Sequence, residues 1–221
     1  MTGKKLLSGA AVIFILLFTA CTGNAPSLNS IQWRIVLRDN GERRWEELYL
    51  FMRASDPDGE EDLAQVLVKV GDSGLQWRFG ADEWISDPGG ESGWQGLPPM
   101  SAARGKYLPD GLYTVQVEDL SGRNSSLTFR PDPRRMDVET AKWPQVSLEK
   151  GFVRLNPDNP SAVLILRDGS LSSLRSLTVL DGMEVDTEGA SFWEVWIPLE
   201  RVKSGYRLGP YPLASSAALS K

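Results

Sequence analysis

Short runs of alternating apolar and polar residues, separated by turn signals, recur along most of this 221-residue chain. The run LYTVQVED places Tyr113, Val115 and Val117 on one face of an extended strand, with polar residues between them. The run LAQVLVKV alternates in the same way and is followed by the turn GDSG. No segment shows the longer apolar period of a helix. This pattern predicts an all-β protein built on an antiparallel sandwich.

Segments rich in proline, glycine and charge divide the chain into predicted parts. Residues 31–130 hold the first set of strands, and residues 131–144 are interpreted as a linker. Residues 145–213 carry further strand candidates, which form either a smaller β domain or extra strands on the first. Because ~70 residues without a disulfide are near the lower limit for independent stability, we expect this part to dock on the first. Residues 214–221 are expected to fray.

The N-terminus predicts export. Lys4 and Lys5 precede an uncharged run over residues 6–20. This run is shorter than the ~20 apolar residues that a membrane span needs, and no basic cluster follows it. A basic start followed by such a run predicts a cleaved signal peptide over residues 1–20.

Cys21, the single cysteine, closes this run in the sequence FTAC. FTAC resembles the lipobox of bacterial lipoproteins, although Phe18 stands where leucine is usual. The resemblance implies that Cys21 becomes the new N-terminus and carries acyl chains, which anchor the protein to a membrane of the cell envelope. Thr22, where some bacteria use aspartate as an inner-membrane retention signal, favours the outer membrane. Residues 21–30 are then predicted to form a flexible tether.

Two longer segments, SDPDGEEDLAQVLVKV and LPDGLYTVQVEDLSGRNSSLTF, carry a second resemblance. They are similar to parts of bacterial immunoglobulin-like or fibronectin-type-III-like surface modules over roughly residues 31–130. The resemblance implies a tyrosine corner, in which the Tyr113 hydroxyl bonds back to the preceding backbone. The irregular stretch 80–106 departs from such modules, which have short strands there.

Composition argues against catalysis and nucleic-acid binding. The chain contains no histidine, the usual general base and a common metal ligand, and its net charge is −5. Without histidine, the GDSG segment is a turn rather than the nucleophile segment of a chymotrypsin-like protease. Glu60 and Glu61 are adjacent and so point apart, which does not suit paired-carboxylate hydrolysis. We therefore predict that the protein is not an enzyme, with a hydrolase as the third-ranked alternative.

One end of the predicted sandwich collects the candidate binding residues. The loop DPDGEED carries Asp56, Asp58 and Asp62, and the turn after the Tyr113 strand begins at Asp119. In a sandwich these two loops lie at the same end, so the four carboxylates are expected to converge. Ca²⁺ takes six to eight oxygen ligands and could bind there, whereas the alternative is an ordinary polar turn.

Trp84 and Trp94 lie in the long stretch 80–106, which is expected to leave the sheet at this same end. They form either a platform for a sugar or a protein, or a cap over the core. Exposure of either tryptophan would favour binding, and burial of both would favour scaffolding.

The sequence therefore predicts a lipid-anchored envelope protein that acts as a non-catalytic binding or adhesion module through the loop end. Its expected partners are the membrane, through the lipid, and a protein or glycan, with no nucleic acid. It needs no cofactor, and Ca²⁺ is a candidate ligand. The alternative is a structural or assembly-scaffold lipoprotein.

Overall fold

The computed structural model describes residues 23–86, 93–131, 136–156, 161–199 and 203–213. The predicted signal peptide, Cys21 and the predicted fraying tail lie outside these residues. Within the described ranges, no helix is both long and apolar enough to cross a membrane.

The described residues form strands joined by turns, which confirms the predicted all-β class. The first eight strands are β1 (Ser27–Asp39), β2 (Arg44–Ser55), β3 (Leu63–Val70), β4 (Gln76–Gly80), β5 (Ile85–Ser86), β6 (Gln95–Gly96), β7 (Tyr113–Asp119) and β8 (Asn124–Phe129). The later strands are β9 (Val146–Glu149), β10 (Phe152–Leu155), β11 (Ser161–Arg167), β12 (Ser173–Leu180), β13 (Phe192–Leu199) and β14 (Ser204–Pro212). Two single-turn 3₁₀ helices cover Glu60–Asp62 and Ala81–Glu83.

The first unit is a β-sandwich. Its smaller sheet has the antiparallel order β4-β3-β7-β8, which is the order of the C′, C, F and G strands in immunoglobulin-type sandwiches. The alternation that predicted these strands turns Val66, Val68, Val115 and Val117 inward, where they pack with Leu50 of β2 in the first core. Each such side chain contributes about 1.5–3 kcal/mol when it is fully buried.

Strand β1 joins this sandwich to the C-terminal strands. It runs antiparallel to β2 along its whole length and parallel to β14 from Ile35 to Asp39. The result is an eight-stranded sheet in the order β12-β11-β13-β14-β1-β2-β6-β5. Leu37 of β1 is buried in a second core with Leu164 and Val195. Residues 145–213 therefore supply most of a second core, which they share with Leu37 and Val138, and they also extend the sheet of the first unit.

The N-terminal tether predicted for residues 21–30 is wrong in its second half. Ser27 to Ser30 belong to β1, and Leu28 is buried in the first core opposite Ala54. The prediction treated this polar stretch as flexible. Burial of Leu28 and the backbone pairing of β1 with β2 order it instead.

Two irregular segments also pack more closely than predicted. In the stretch 80–106, β6 pairs with β2, and Met100 forms a β-bridge with Leu48. In the predicted linker 131–144, Val138 is buried in the second core, and its carbonyl accepts a hydrogen bond from the Trp143 indole.

Candidate functional site

At the acidic loop end, three of the four aspartates that were expected to converge lie together. The loop after β2 carries Asp56, Asp58 and Asp62, and β7 ends at Asp119. Carboxylate oxygens of Asp56, Asp62 and Asp119 lie within 4.8 Å of one another. Asp58 joins them through a shared neighbour, Arg123, whose guanidinium lies 3.6 Å from the Asp58 carboxylate. We call these four aspartates and Arg123 the acidic cluster.

Local hydrogen bonds hold the two loops in place. One oxygen of Asp119 accepts from the backbone amides of Ser121 and Arg123, and one oxygen of Asp56 accepts from the amide of Asp58. Gly59 turns the first loop with a φ of 129°, a conformation that favours glycine. Polar residues at strand ends commonly form turns of this kind.

Asp56 Oδ2 and Asp119 Oδ2 are both buried without a hydrogen-bond donor among the described residues, but Asp119 Oδ2 lies 2.8 Å from Arg123 Nε. Asp56 is only 8% exposed, and its Oδ2 accepts no hydrogen bond within the part of the chain that the structure describes. A buried carboxylate oxygen without a donor is unfavourable, so this position favours a bound cation.

Arg123 is the member of the acidic cluster that sequence reasoning missed. Its Nε lies 2.8 Å from Asp119, and its Nη2 lies 3.9 Å from Asp62. The sequence signal that could have identified Arg123 was its position in the turn, four residues after Asp119. Because four carboxylates face one guanidinium, the acidic cluster keeps three negative charges.

Asp62 responds to this charge excess. Partial burial raises the pKa of its carboxyl, and the neighbouring Asp56, Asp119 and Asp58 raise it further, while Arg123 lowers it. The three neighbouring carboxylates therefore add to the effect of burial and favour a proton or another cation at Asp62.

The N-terminal chain lies directly against the acidic cluster. The backbone amide of Asn24 donates to Asp58 Oδ2 at 2.6 Å, and Gly23 is so close to Arg123 and Asp58 that a side chain there would clash with both. In the sequence, Cys21 precedes Gly23 by two residues.

The two predicted tryptophans match neither sequence expectation fully, because both are half-buried. Trp84 packs against the first core, as the capping alternative expected. Trp94 packs against β2, where the guanidinium of Arg53 lies 4.7 Å from the centre of its ring. Neither side chain is a freely exposed platform.

A second candidate site, which the sequence did not suggest, crosses the large sheet. We call it the sheet-face groove. It has a volume of about 470 Å³ and spans β2, β1, β14, β13 and β11. Its lining includes Arg34, Tyr49, Phe51, Trp196, Pro198 and Arg207. These residues are far apart in sequence, and no motif marks them.

Glu194 lies next to the sheet-face groove, on the face of β13 opposite the second core. Its carboxylate is buried and accepts hydrogen bonds from Arg38, Arg167 and Arg207. Burial raises the pKa of Glu194, but the hydrogen bonds and charges of Arg207 and Arg38 outweigh it and lower the pKa to about 2. Three guanidinium groups around one carboxylate give this group of side chains a net charge of +2.

Tyr49, which lines the groove, contacts Arg207, one of the three arginines bound to Glu194. Its hydroxyl accepts a hydrogen bond from Arg207 and donates one to Glu47 at 3.2 Å. Burial raises the pKa of Tyr49 to about 12, so the hydroxyl stays protonated and keeps this donor.

No protein-family model matches this chain, and no curated protein matches it either.

Proposed function

We propose that this chain is a lipid-anchored protein of the cell envelope that acts as a non-catalytic binding module, with Ca²⁺ held at the acidic loop end. The observation that carries the proposed Ca²⁺ site is the convergence of Asp56, Asp62 and Asp119, with Asp58 and a single arginine, Arg123, beside them. A charge excess of this size, with the carboxylates of Asp56 and Asp119 buried, calls for a further cation.

The acidic cluster suits Ca²⁺ among biological cations. Its donors are hard carboxylate oxygens, which Ca²⁺ prefers, and it contains neither histidine nor cysteine. Asp56, Asp62 and Asp119 would hold the ion, and Asp58 would supply a further oxygen. The unpartnered Oδ2 of Asp56 supports this assignment.

The anchor and the acidic cluster would lie together. If Cys21 carries acyl chains, the contact of Gly23 with Arg123 keeps the acidic cluster at the membrane surface. A partner bound at this end would then also lie at the membrane surface. We propose the outer membrane as the location.

A scaffold is the second candidate function. The observation that favours it is the shared eight-stranded sheet, because it makes one body of two cores. The half-buried Trp84 and Trp94 fit a scaffold as well as they fit a binding surface.

The lipid anchor is tested at Cys21. We expect wild-type protein to partition into the detergent phase of a cloud-point separation, because two or three acyl chains bind a membrane firmly. Cys21→Ala should remain uncleaved or appear in the aqueous phase. Phe18→Leu restores the usual lipobox residue and should behave as wild type. Wild-type protein with an unmodified Cys21 in the aqueous phase would refute the anchor.

Calcium binding is tested by thermal unfolding. Extracellular Ca²⁺ modules bind at ~10⁻⁴–10⁻³ M, so ~10 mM Ca²⁺ should stabilise the protein by about 1.4–2.7 kcal/mol. For a unit of this size we expect the melting midpoint to be roughly 3–10 °C higher in Ca²⁺ than in EDTA. Mg²⁺ at the same concentration should do much less, because it gives up water reluctantly.

Three variants separate the ion from the arginine. Asp62→Asn should lose the response to Ca²⁺, and Glu60→Gln, a neighbouring exposed carboxylate, should keep it. Arg123→Gln should lower the midpoint in EDTA and gain more from Ca²⁺ than wild type does. Equal midpoints of wild-type protein in Ca²⁺ and EDTA would refute the calcium site and leave the loops as polar turns.

A further inference from the structure

We propose that the sheet-face groove binds an acidic saccharide, with a sugar ring against its aromatic side chains and a sugar carboxylate at its arginines. This site is separate from the acidic cluster, and the proposal depends on neither the lipid nor Ca²⁺.

Charge is the first argument. Arg34 and Arg207 line the groove, and no acidic residue is among the described residues that line it. In the part of the chain that the structure describes, the groove and its immediate neighbours include four arginines and two glutamates, namely Arg34, Arg38, Arg167, Arg207, Glu47 and Glu194. A positive face on a chain with a net charge of −5 selects an anionic ligand. Guanidinium groups favour carboxylates, which they can bind through two parallel hydrogen bonds.

The aromatic residues are the second argument. The rings of Tyr49 and Trp196 are nearly parallel, 24° apart, with their centroids separated by 6.3 Å. Phe51 is 39% exposed at the same groove. The volume of about 470 Å³ lies within the range of small-ligand sites. Flat aromatic faces beside a few polar groups suit the C–H face of a sugar ring.

The position within the sheet favours a saccharide over an acidic peptide. All five strands under the groove have a paired neighbour on each side, so none of them is an edge strand. An extended peptide commonly binds by adding a strand to a free edge, where its amides and carbonyls find backbone partners. Those groups would find no backbone ladder on a sheet face. A saccharide needs only the side chains that the groove offers.

Titration calorimetry on the full chain in detergent micelles tests the proposal with tri-galacturonic acid as the probe. We expect saturable binding to wild-type protein that weakens as salt increases. The fully methyl-esterified trisaccharide has the same rings without the charge and should bind at least about tenfold more weakly. Tetraglutamate supplies the charge without the rings and should also bind more weakly.

Two arginine variants form a matched pair. Arg34 lies 5.5 Å from the centre of the Trp196 ring inside the groove, and Arg53 lies over Trp94 outside it. Arg34→Gln should weaken tri-galacturonate binding at least about tenfold, and Arg53→Gln should leave it unchanged. Phe51→Ala removes an exposed ring and should weaken binding without changing the melting curve.

Four results would overturn the proposal. These are no wild-type binding tighter than about 1 mM, equal binding of the acid and its ester, binding of tetraglutamate as tight as that of the saccharide, and equal effects of the two arginine variants. Melting curves of all variants show whether a lost affinity reflects a lost fold.

Discussion

The Tyr113 hydroxyl closes the corner before β7 by donating a hydrogen bond to the Pro109 carbonyl at 2.7 Å. Its ring is fully buried and stacks on Phe129 at a centroid distance of 5.1 Å. The resemblance of the LPDGLY segment to immunoglobulin-like modules implied this contact, because a tyrosine corner lies within one short segment. At the scale of single residues, this prediction is confirmed.

Replacing Tyr113 with phenylalanine keeps the stacked ring and removes the hydroxyl. We expect Tyr113→Phe to cost about 1 kcal/mol, or more if the Pro109 carbonyl finds no new donor. For a unit of this size the midpoint should fall by about 2–4 °C per kcal/mol. Tyr107→Phe, at an exposed position, serves as the control and should melt as wild type. An unchanged melting midpoint in Tyr113→Phe would show that the hydrogen bond from Tyr113 to Pro109 does not stabilise the fold.

At the scale of strands, Glu194 connects four of them on one face of the large sheet. It lies on β13, and its arginine partners Arg38, Arg167 and Arg207 lie on β1, β11 and β14. The carboxylate lies between guanidinium groups that would otherwise repel one another. Removal of one buried member should therefore leave uncompensated charge and loosen the strand pairing.

The low pKa of Glu194 makes this contribution dependent on pH. Because the folded-state pKa is below the unfolded value, the stabilisation is present above about pH 4.5 and is lost as pH falls toward about 2. We expect the urea-unfolding free energy of wild-type protein to decrease through this window. Glu194→Gln should be less stable near neutral pH, by on the order of 3 kcal/mol, and should show a smaller decrease.

Glu188→Gln is the control for this measurement, because Glu188 is exposed. It should reproduce the wild-type pH profile. If Glu194→Gln also follows the wild-type profile, other carboxyl groups account for the acid sensitivity.

At the scale of the whole molecule, β1 belongs to both cores. Ile35 is buried in the first core, and Leu37, two residues later, is buried in the second. The Ser204 hydroxyl donates to the Ile35 carbonyl at 2.7 Å, where β14 meets β1. Because β1 contributes side chains to both cores, the two cores should unfold together.

We therefore expect one cooperative transition in calorimetry, with equal van't Hoff and calorimetric enthalpies. Leu50→Ala in the first core and Leu37→Ala in the second should each cost about 2–5 kcal/mol and shift the same transition. Leu120→Ala, at a site that is 71% exposed, should leave it unchanged. Two resolved transitions, each sensitive to one variant, would show independent domains.

The sequence by itself determined the strands of the sandwich, the tyrosine corner and the shared end of the four aspartates. These features depend on the two-residue period of a strand and on hairpin connections between neighbouring segments. Both are determined by residues that are close together in the sequence. The same logic failed at Arg123, because a turn arginine carries no sign of which carboxylates it will meet.

Only the tertiary structure decided that β14 pairs with β1, that Glu194 gathers three arginines and that the sheet-face groove exists. Ile35 and Ser204 face each other although 168 residues lie between them. Strand edges expose the same amide and carbonyl groups whatever their side chains are, so a sequence does not name the partner of an edge. Side chains on such strands become neighbours only after the pairing has formed, and the groove residues are neighbours of this kind.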